Sequence, residues 1–138
     1  MSDSIFSKII RGEIPCHRVY QDESVLAFLD INPLSRGHVL VVPKEPAATM
    51  ADLSDPAAAG LGKALPRICR AVVKATGAAS YNLLQNNGAD AGQEVMHVHV
   101  HVIPRYPEDD TGLRVSWKPR AFDHDAGAEL ARKIARLL

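Results

Sequence analysis

The apolar positions along the chain follow two periods, and the change from one to the other marks the elements. Ile5, Phe6, Ile9 and Ile10 share one face of a short helix, with Ser2 or Asp3 as its cap and Gly12 and Pro15 as its stop. Residues 17–20 and 25–29 read as two short strands around a turn at Gln21-Asp22-Glu23-Ser24. Asn32-Pro33 and Arg36-Gly37 mark a loop, and the run 38–42 is a third strand that ends at Pro43. Asp55-Pro56 opens a long helix, with aspartate as the cap and proline just inside. Its apolar face is Leu61, Leu65, Ile68, Cys69, Val72 and Val73, it stops at Gly77, and Pro66 predicts a kink. A fourth strand over 80–85 leads through a turn cluster at 86–92 into a fifth over 97–103, so the two form a hairpin. Residues 129–138 make a short basic amphipathic helix that caps the core rather than binding a membrane.

Composition narrows the class. A chain of 138 residues with 46% hydrophobic and 23% charged positions suits one globular domain with one core. Sixteen basic residues balance sixteen acidic ones with no basic block, which argues against a surface that tracks nucleic-acid phosphates and favours a small anion as ligand. Cys16 and Cys69 are too few for a disulfide scaffold and form no CxxC, which fits a reducing cytoplasm. Lys8 and Arg11 interrupt the opening apolar run, so no signal peptide or membrane span is expected there.

The fifth strand holds the chemistry. In His97-Val98-His99-Val100-His101-Val102-Ile103, the period of two puts three imidazoles on one face and three valines on the other. Ideal strand rise spaces the rings by about 7 Å. A polar face turned to water is one reading, though imidazole is an unusual way to be polar. A metal is a second, but ligands at i, i+2 and i+4 span about 13 Å, too far to close comfortably on one ion. The third is nucleophilic and acid–base chemistry on an anion, in which one ring attacks and a neighbour moves a proton.

The triad and its context resemble the histidine triad (HIT) superfamily of nucleotide hydrolases and transferases, in its bacterial, nucleoside-phosphoramidase-like branch. Ile5-Phe6-Ser7-Lys8-Ile9-Ile10 with Ile14-Pro15 resembles the family's opening helix, and Phe28-Leu29-Asp30-Ile31 and residues 37–44 resemble its central strands. Asn86 and Gly92-Gln93 match its phosphate loop, and Trp117-Lys118-Pro119 resembles its C-terminal segment. The similarity covers about residues 3–120, followed by the C-terminal helix at about 128–138 of a single domain, 1–138. It implies an α+β fold with about five antiparallel strands, one long kinked helix and short terminal helices, assembled as a homodimer.

The resemblance also implies roles. His99 is the nucleophile on the α-phosphorus, His101 contacts the bridging atom and helps the leaving group, and His97 and His38 orient and support them. A neutral ring is required for attack, with its second nitrogen held by an acceptor, commonly a backbone carbonyl. Asp30 accepts both ribose hydroxyls. Ile5, Phe6, Ile9, Phe28, Ile31 and Leu40 line the slot for the base. Asn86, Gly92, Gln93, Glu94 and Val95 form the phosphate loop, with the Glu94 and Val95 N–H groups stabilising transition-state charge. No cofactor and no catalytic metal are expected, since the protein itself supplies nucleophile and donors.

Two departures stand out. Relatives with structural zinc have Cys-x-x-Cys in the opening helix and a histidine after the Pro-Lys pair, where this chain has Ser4, Ser7 and Pro46, so no zinc is expected. Glu94 stands where phosphoramidase relatives have serine or threonine; a carboxylate pointing inward would repel phosphate, so it is expected to face solvent. The implied activity is hydrolysis of purine nucleoside 5′-phosphoramidates or related conjugates to the nucleoside monophosphate. Cleavage of dinucleoside polyphosphates such as diadenosine compounds is the alternative, and a nucleotide-binding interaction module with incidental hydrolysis comes from another class. A metal-binding protein is a third.

Overall fold

The computed structural model describes residues 3–108 and 112–138. Its elements are α1 (Ile5–Ile10), β1 (Arg18–Gln21), β2 (Val25–Leu29), β3 (Val39–Pro43), α2 (Asp55–Thr76), β4 (Ser80–Leu84), β5 (Val100–Arg105) and α3 (His124–Leu137). The five strands form one sheet in the order β1-β2-β3-β5-β4, with every neighbouring pair antiparallel. This is the expected α+β architecture.

Strand periodicity sorts the core into two layers. Val25, Ala27, Val39, Val41, Val100 and Val102 face α2 and pack with its Leu61, Ala64, Ile68, Cys69 and Val72. Leu26, Phe28, Leu40 and Val42, the residues between them, gather on the opposite face with Phe6 of α1. β2 and β3 are therefore apolar without interruption, as strands covered on both faces must be. Burial of each such valine or leucine stabilises the fold by about 1.5–3 kcal/mol. His101 pairs with Leu40 across the sheet, which puts its imidazole on the α1 side.

The helix ends correct the sequence reading. Ser4 caps α1, its Oγ accepting the Ser7 N–H at 3.0 Å; of the two expected caps, Asp3 is not the cap and Ser2 lies outside the described residues. Ser54, not Asp55, caps α2, because its hydroxyl accepts the Ala57 N–H while Glu45 binds the Ser54 N–H and hydroxyl. The helix is continuous through Pro66 and ends at Gly77, in the left-handed conformation with φ 75°. β1 runs one residue further than expected, taking Gln21 from the turn, and β4 ends one residue earlier, at Leu84. β4 and β5 are antiparallel neighbours as expected, but residues 85–99 between them make a long loop rather than a tight turn.

α3 overturns an expectation. It begins earlier than predicted, at His124 with Asp123 as cap, and none of its residues is buried. Leu130 and Ile134 are more than half exposed, so the helix does not cap this chain's core. Among the described residues no helix is long and apolar enough to cross a membrane.

Candidate active site

β5 starts at Val100, three residues later than the histidine pattern predicts. The reason is Pro43. The register that pairs Val41 with Val100 sets Pro43 opposite Val98, and proline has no N–H to continue a ladder. The chain takes other partners there. The Val98 N–H donates to the Ala47 carbonyl at 2.9 Å, and the Pro43 carbonyl accepts from the side chain of His97, also at 2.9 Å. Freed from the regular pleat, the rings sit closer than the 7 Å of an ideal strand: the His99 and His101 centroids are 5.1 Å apart, edge to face.

The hydrogen bonds assign the protons of all four rings. His97 donates from Nε2 to the Pro43 carbonyl, which leaves its Nδ1 as an acceptor facing the Ser4 and Ser7 hydroxyls at 3.0 and 3.4 Å. His99 donates from Nδ1 to the His97 carbonyl at 2.7 Å, so its Nε2 holds a lone pair. His38 Nδ1 accepts the Leu34 N–H at 3.0 Å, so its Nε2 carries the proton and donates to His101 Nδ1 at 2.9 Å. His101 therefore keeps its own proton on Nε2. A free lone pair and a ready N–H stand on adjacent rings, which is the pairing that displacement at phosphorus requires.

Burial favours the neutral form of three of these rings. It pushes the pKa of His97 below the ordinary histidine value, with the neighbouring His99 adding to the effect, and that of His38 likewise, against a smaller opposing pull from Asp30. His101 is lowered to about 4, by burial first and then by repulsion from His99 and His38.

Asp30 accepts the Asn32 N–H at 2.8 Å through Oδ1, as an aspartate does in a local turn, and sets Oδ2 3.6 Å from His38 Nε2. Asp30, His38 and His101 bring possible metal-binding atoms within 4.8 Å of one another. The donor set does not suit a cation, because the Leu34 N–H fixes the proton on the His38 nitrogen that would have to coordinate. Ser4 and Ser7 likewise offer hydroxyls where zinc prefers thiolates, and Pro46 offers no ligand.

Phe6 covers the other side of the row. Its ring meets His99 at 4.9 Å, Phe28 at 5.8 Å and His97 at 6.1 Å, all edge to face. Ile9, Phe28, Leu40 and Val95 belong to the same cluster, together with Leu26, Val42, Ile10 and Cys16, which the sequence reading did not select. Ile5 and Ile31 stand outside it, about half and 80% exposed.

The phosphate-loop candidates form a compact turn. Gly88 and Gly92, with φ 92° and 90°, bracket a short 3₁₀ turn at Ala89–Ala91. Buried Gln93 holds the loop shut: its Oε1 accepts the Gly88 N–H, and its Nε2 donates to the carbonyls of Ala48 and Val95. That leaves no polar atom of the Gln93 side chain for a ligand, and its N–H already donates to the Gly88 carbonyl at 3.1 Å. Glu94 is exposed, Asn86 is half-buried with its Nδ2 3.4 Å from the Gly92 carbonyl, and the N–H groups of Glu94 and Val95 meet no acceptor among the described residues. The sequence reading missed the groups that orient the histidines: the Leu34 N–H and the Pro43 carbonyl, which have no side-chain signature, and the Ser4 and Ser7 hydroxyls.

A two-layer α+β domain with a row of imidazoles oriented by main-chain and side-chain hydrogen bonds suits acid–base and nucleophilic chemistry at an anion. The HIT domain family matches residues 11–108, and this chain belongs to it. It is 50% identical over 134 residues to the adenosine 5′-monophosphoramidase hnt1 of Schizosaccharomyces pombe, covering 94% of this chain and 97% of that protein. It is 48% identical over 108 residues to the adenylylsulfatase HINT3 of Arabidopsis thaliana, covering 78% of this chain but 55% of that longer protein. The crystal structure of a HIT family protein from Bacillus anthracis superposes with a TM-score of 0.94 at 39% identity, covering 99% of this chain and 98% of that one. The chain is a histidine triad hydrolase.

Proposed function

We propose that the chain hydrolyses purine nucleoside 5′-phosphoramidates and related nucleotide conjugates at the α-phosphorus, through a nucleotidyl-His99 intermediate that releases the nucleoside monophosphate. The observation behind this reading is the 2.7 Å bond from His99 Nδ1 to the His97 carbonyl, which leaves Nε2 as the nucleophile. As Nε2 bonds to phosphorus, the bond from phosphorus to the amine breaks. The amine leaves with a proton drawn through His101 Nε2–H; in the second step water attacks phosphorus, the bond from phosphorus to His99 Nε2 breaks, and the water's proton returns to His101. The free N–H groups of Glu94 and Val95 stabilise the charge that develops on the phosphoryl oxygens. Asp30 accepts the ribose hydroxyls. Phe6, Ile9, Phe28 and Leu40 back the base, with Ile5 and Ile31 at the rim, while Asn86, Gly92 and Gln93 shape the loop.

The working form is a homodimer. In support, β4 is an edge strand with Tyr81 and Leu83 exposed, and Leu130, Ile134 and Leu137 make an apolar stripe along α3 that stays exposed among the described residues.

The test is turnover of a fluorogenic adenosine 5′-phosphoramidate in the presence of a chelator, beside diadenosine polyphosphate. The reading expects metal-independent phosphoramidate cleavage that is abolished in His99→Ala, with AMP binding retained. Faster cleavage of the polyphosphate would shift the substrate to the alternative class, and slow turnover indifferent to His99→Ala would point to a binding module.

A further inference from the structure

Two hydroxyls of α1 converge on a nitrogen that the chemistry above does not use. His97 is 1% exposed, and its Nδ1 is turned away from the reacting face towards Ser4 Oγ at 3.0 Å and Ser7 Oγ at 3.4 Å. The two hydroxyls lie 3.3 Å apart, and Ser4 Oγ also accepts the Ser7 N–H. Because His97 Nε2 gives its proton to the Pro43 carbonyl, Nδ1 of the neutral ring is a bare acceptor. Its burial leaves only a hydroxyl to satisfy it, and two are in place.

We propose that Ser4 and Ser7 are positioning residues for the nucleophile: their hydroxyls fix the tautomer and plane of His97, whose carbonyl in turn holds His99 Nδ1–H. The connection is continuous, from Ser7 N–H to Ser4 Oγ, from a serine hydroxyl to His97 Nδ1, and from the His97 carbonyl to His99. Phe6 lies between the two serines in sequence and packs on both rings, so α1 grips the histidine row by a hydrogen bond and an aromatic contact at once. Without a donor at Nδ1, the ring must either keep an unsatisfied buried nitrogen or move its proton to Nδ1 and surrender the Pro43 carbonyl. Each course loosens the peptide that orients His99. Burial also favours the neutral ring that this role requires. The two hydroxyls share the task, so each can stand in for the other.

The role in catalysis rests on His99 as nucleophile, and the test therefore reads the ring directly as well as the rate. Nitrogen-15 NMR of the histidine rings at pH 7.5 reports which nitrogen of His97 is protonated, whether or not a substrate turns over. The wild-type protein should show His97 protonated on Nε2. Ser4→Ala/Ser7→Ala should mix the tautomers of His97 and lower kcat about tenfold, with KM for the phosphoramidate within about twofold. Each single variant should lose less than the square root of that factor. Ser4→Thr in the Ser7→Ala background retains a hydroxyl and should restore both readouts. Ser4→Asp in that background keeps the helix cap, but its carboxylate has no proton to give and should not restore them. An unchanged His97 tautomer in a folded double variant, or full rescue by Asp, would overturn the proposal. If the wild-type protein fails to cleave the substrate, the reaction reading falls while the tautomer result still decides the link between the serines and His97.

Discussion

Acidification from pH 7 to pH 5 should destabilise the protein. His38, His97 and His101 all have native pKa values below that of a free imidazole, with burial as the first cause. Such a group stabilises the fold fully above its unfolded pKa near 6.5, and the contribution is lost as pH falls from there towards the native value, because the unfolded chain takes up a proton that the native ring refuses. For His101, at about 4, the unfolded state gains about 2 kcal/mol between pH 6.5 and 5 at 1.36 kcal/mol per pH unit, and roughly half of that after screening by the solvent that reaches this partly buried ring. His38 and His97 add in the same direction. Asp22, Asp3 and Glu45 are lowered from ordinary values of 3.8, 3.8 and 4.5 by hydrogen bonds to Tyr20, Arg11 and Ser54, so their contributions disappear only at lower pH. Urea unfolding followed by far-ultraviolet circular dichroism is the assay, since Trp117 is 86% exposed and a poor reporter of folding. The midpoint should fall steadily from pH 6.5 to 5, and more shallowly in His101→Gln. A midpoint that holds constant across that range would refute neutral, buried rings.

Three further outcomes follow from the packing. Phe6→Ala should cost about 3–5 kcal/mol in urea unfolding and lower kcat, because it opens a cavity against the His99 ring. Gln93→Ala leaves the Gly88 N–H and the Ala48 and Val95 carbonyls without their partner; it should cost about 1–3 kcal/mol and raise KM more than it lowers kcat in steady-state kinetics. Light scattering on the gel-filtration peak should give twice the 15.0 kDa chain mass, and Leu83→Arg on the edge strand should shift it towards one.

Much of this was legible in the chain because β-strand alternation is a local signal. The alternation of 97–103 needs no knowledge of its neighbours to declare two faces, and the apolar runs 25–29 and 39–42 declare strands by their β-branched and aromatic residues and the turn residues that bound them. The start of β5 was not legible, since it depends on Pro43 arriving opposite Val98, a coincidence of register between segments far apart in sequence. Capping misled for a related reason: Ser54 outcompetes Asp55 because Glu45, nine residues away, fixes the serine. The amphipathic period of α3 identified a helix correctly but could not say that its apolar stripe stays exposed among the described residues. For the site, the four histidines were visible as residue types. Of their tautomers only that of His99 was foreseeable, because attack calls for an acceptor such as a backbone carbonyl at its second nitrogen; those of His38 and His97 are set by main-chain groups at Leu34 and Pro43.

The central claim is that His99 Nε2 bonds to phosphorus, and rapid-quench mass spectrometry tests it most directly. With an adenosine 5′-phosphoramidate, peptide mapping within the first turnover should find one adenylyl group on the peptide that contains His99, and none in His99→Ala. Turnover at the wild-type rate with no adduct at any quench time, or an adduct on a different residue, would contradict the account.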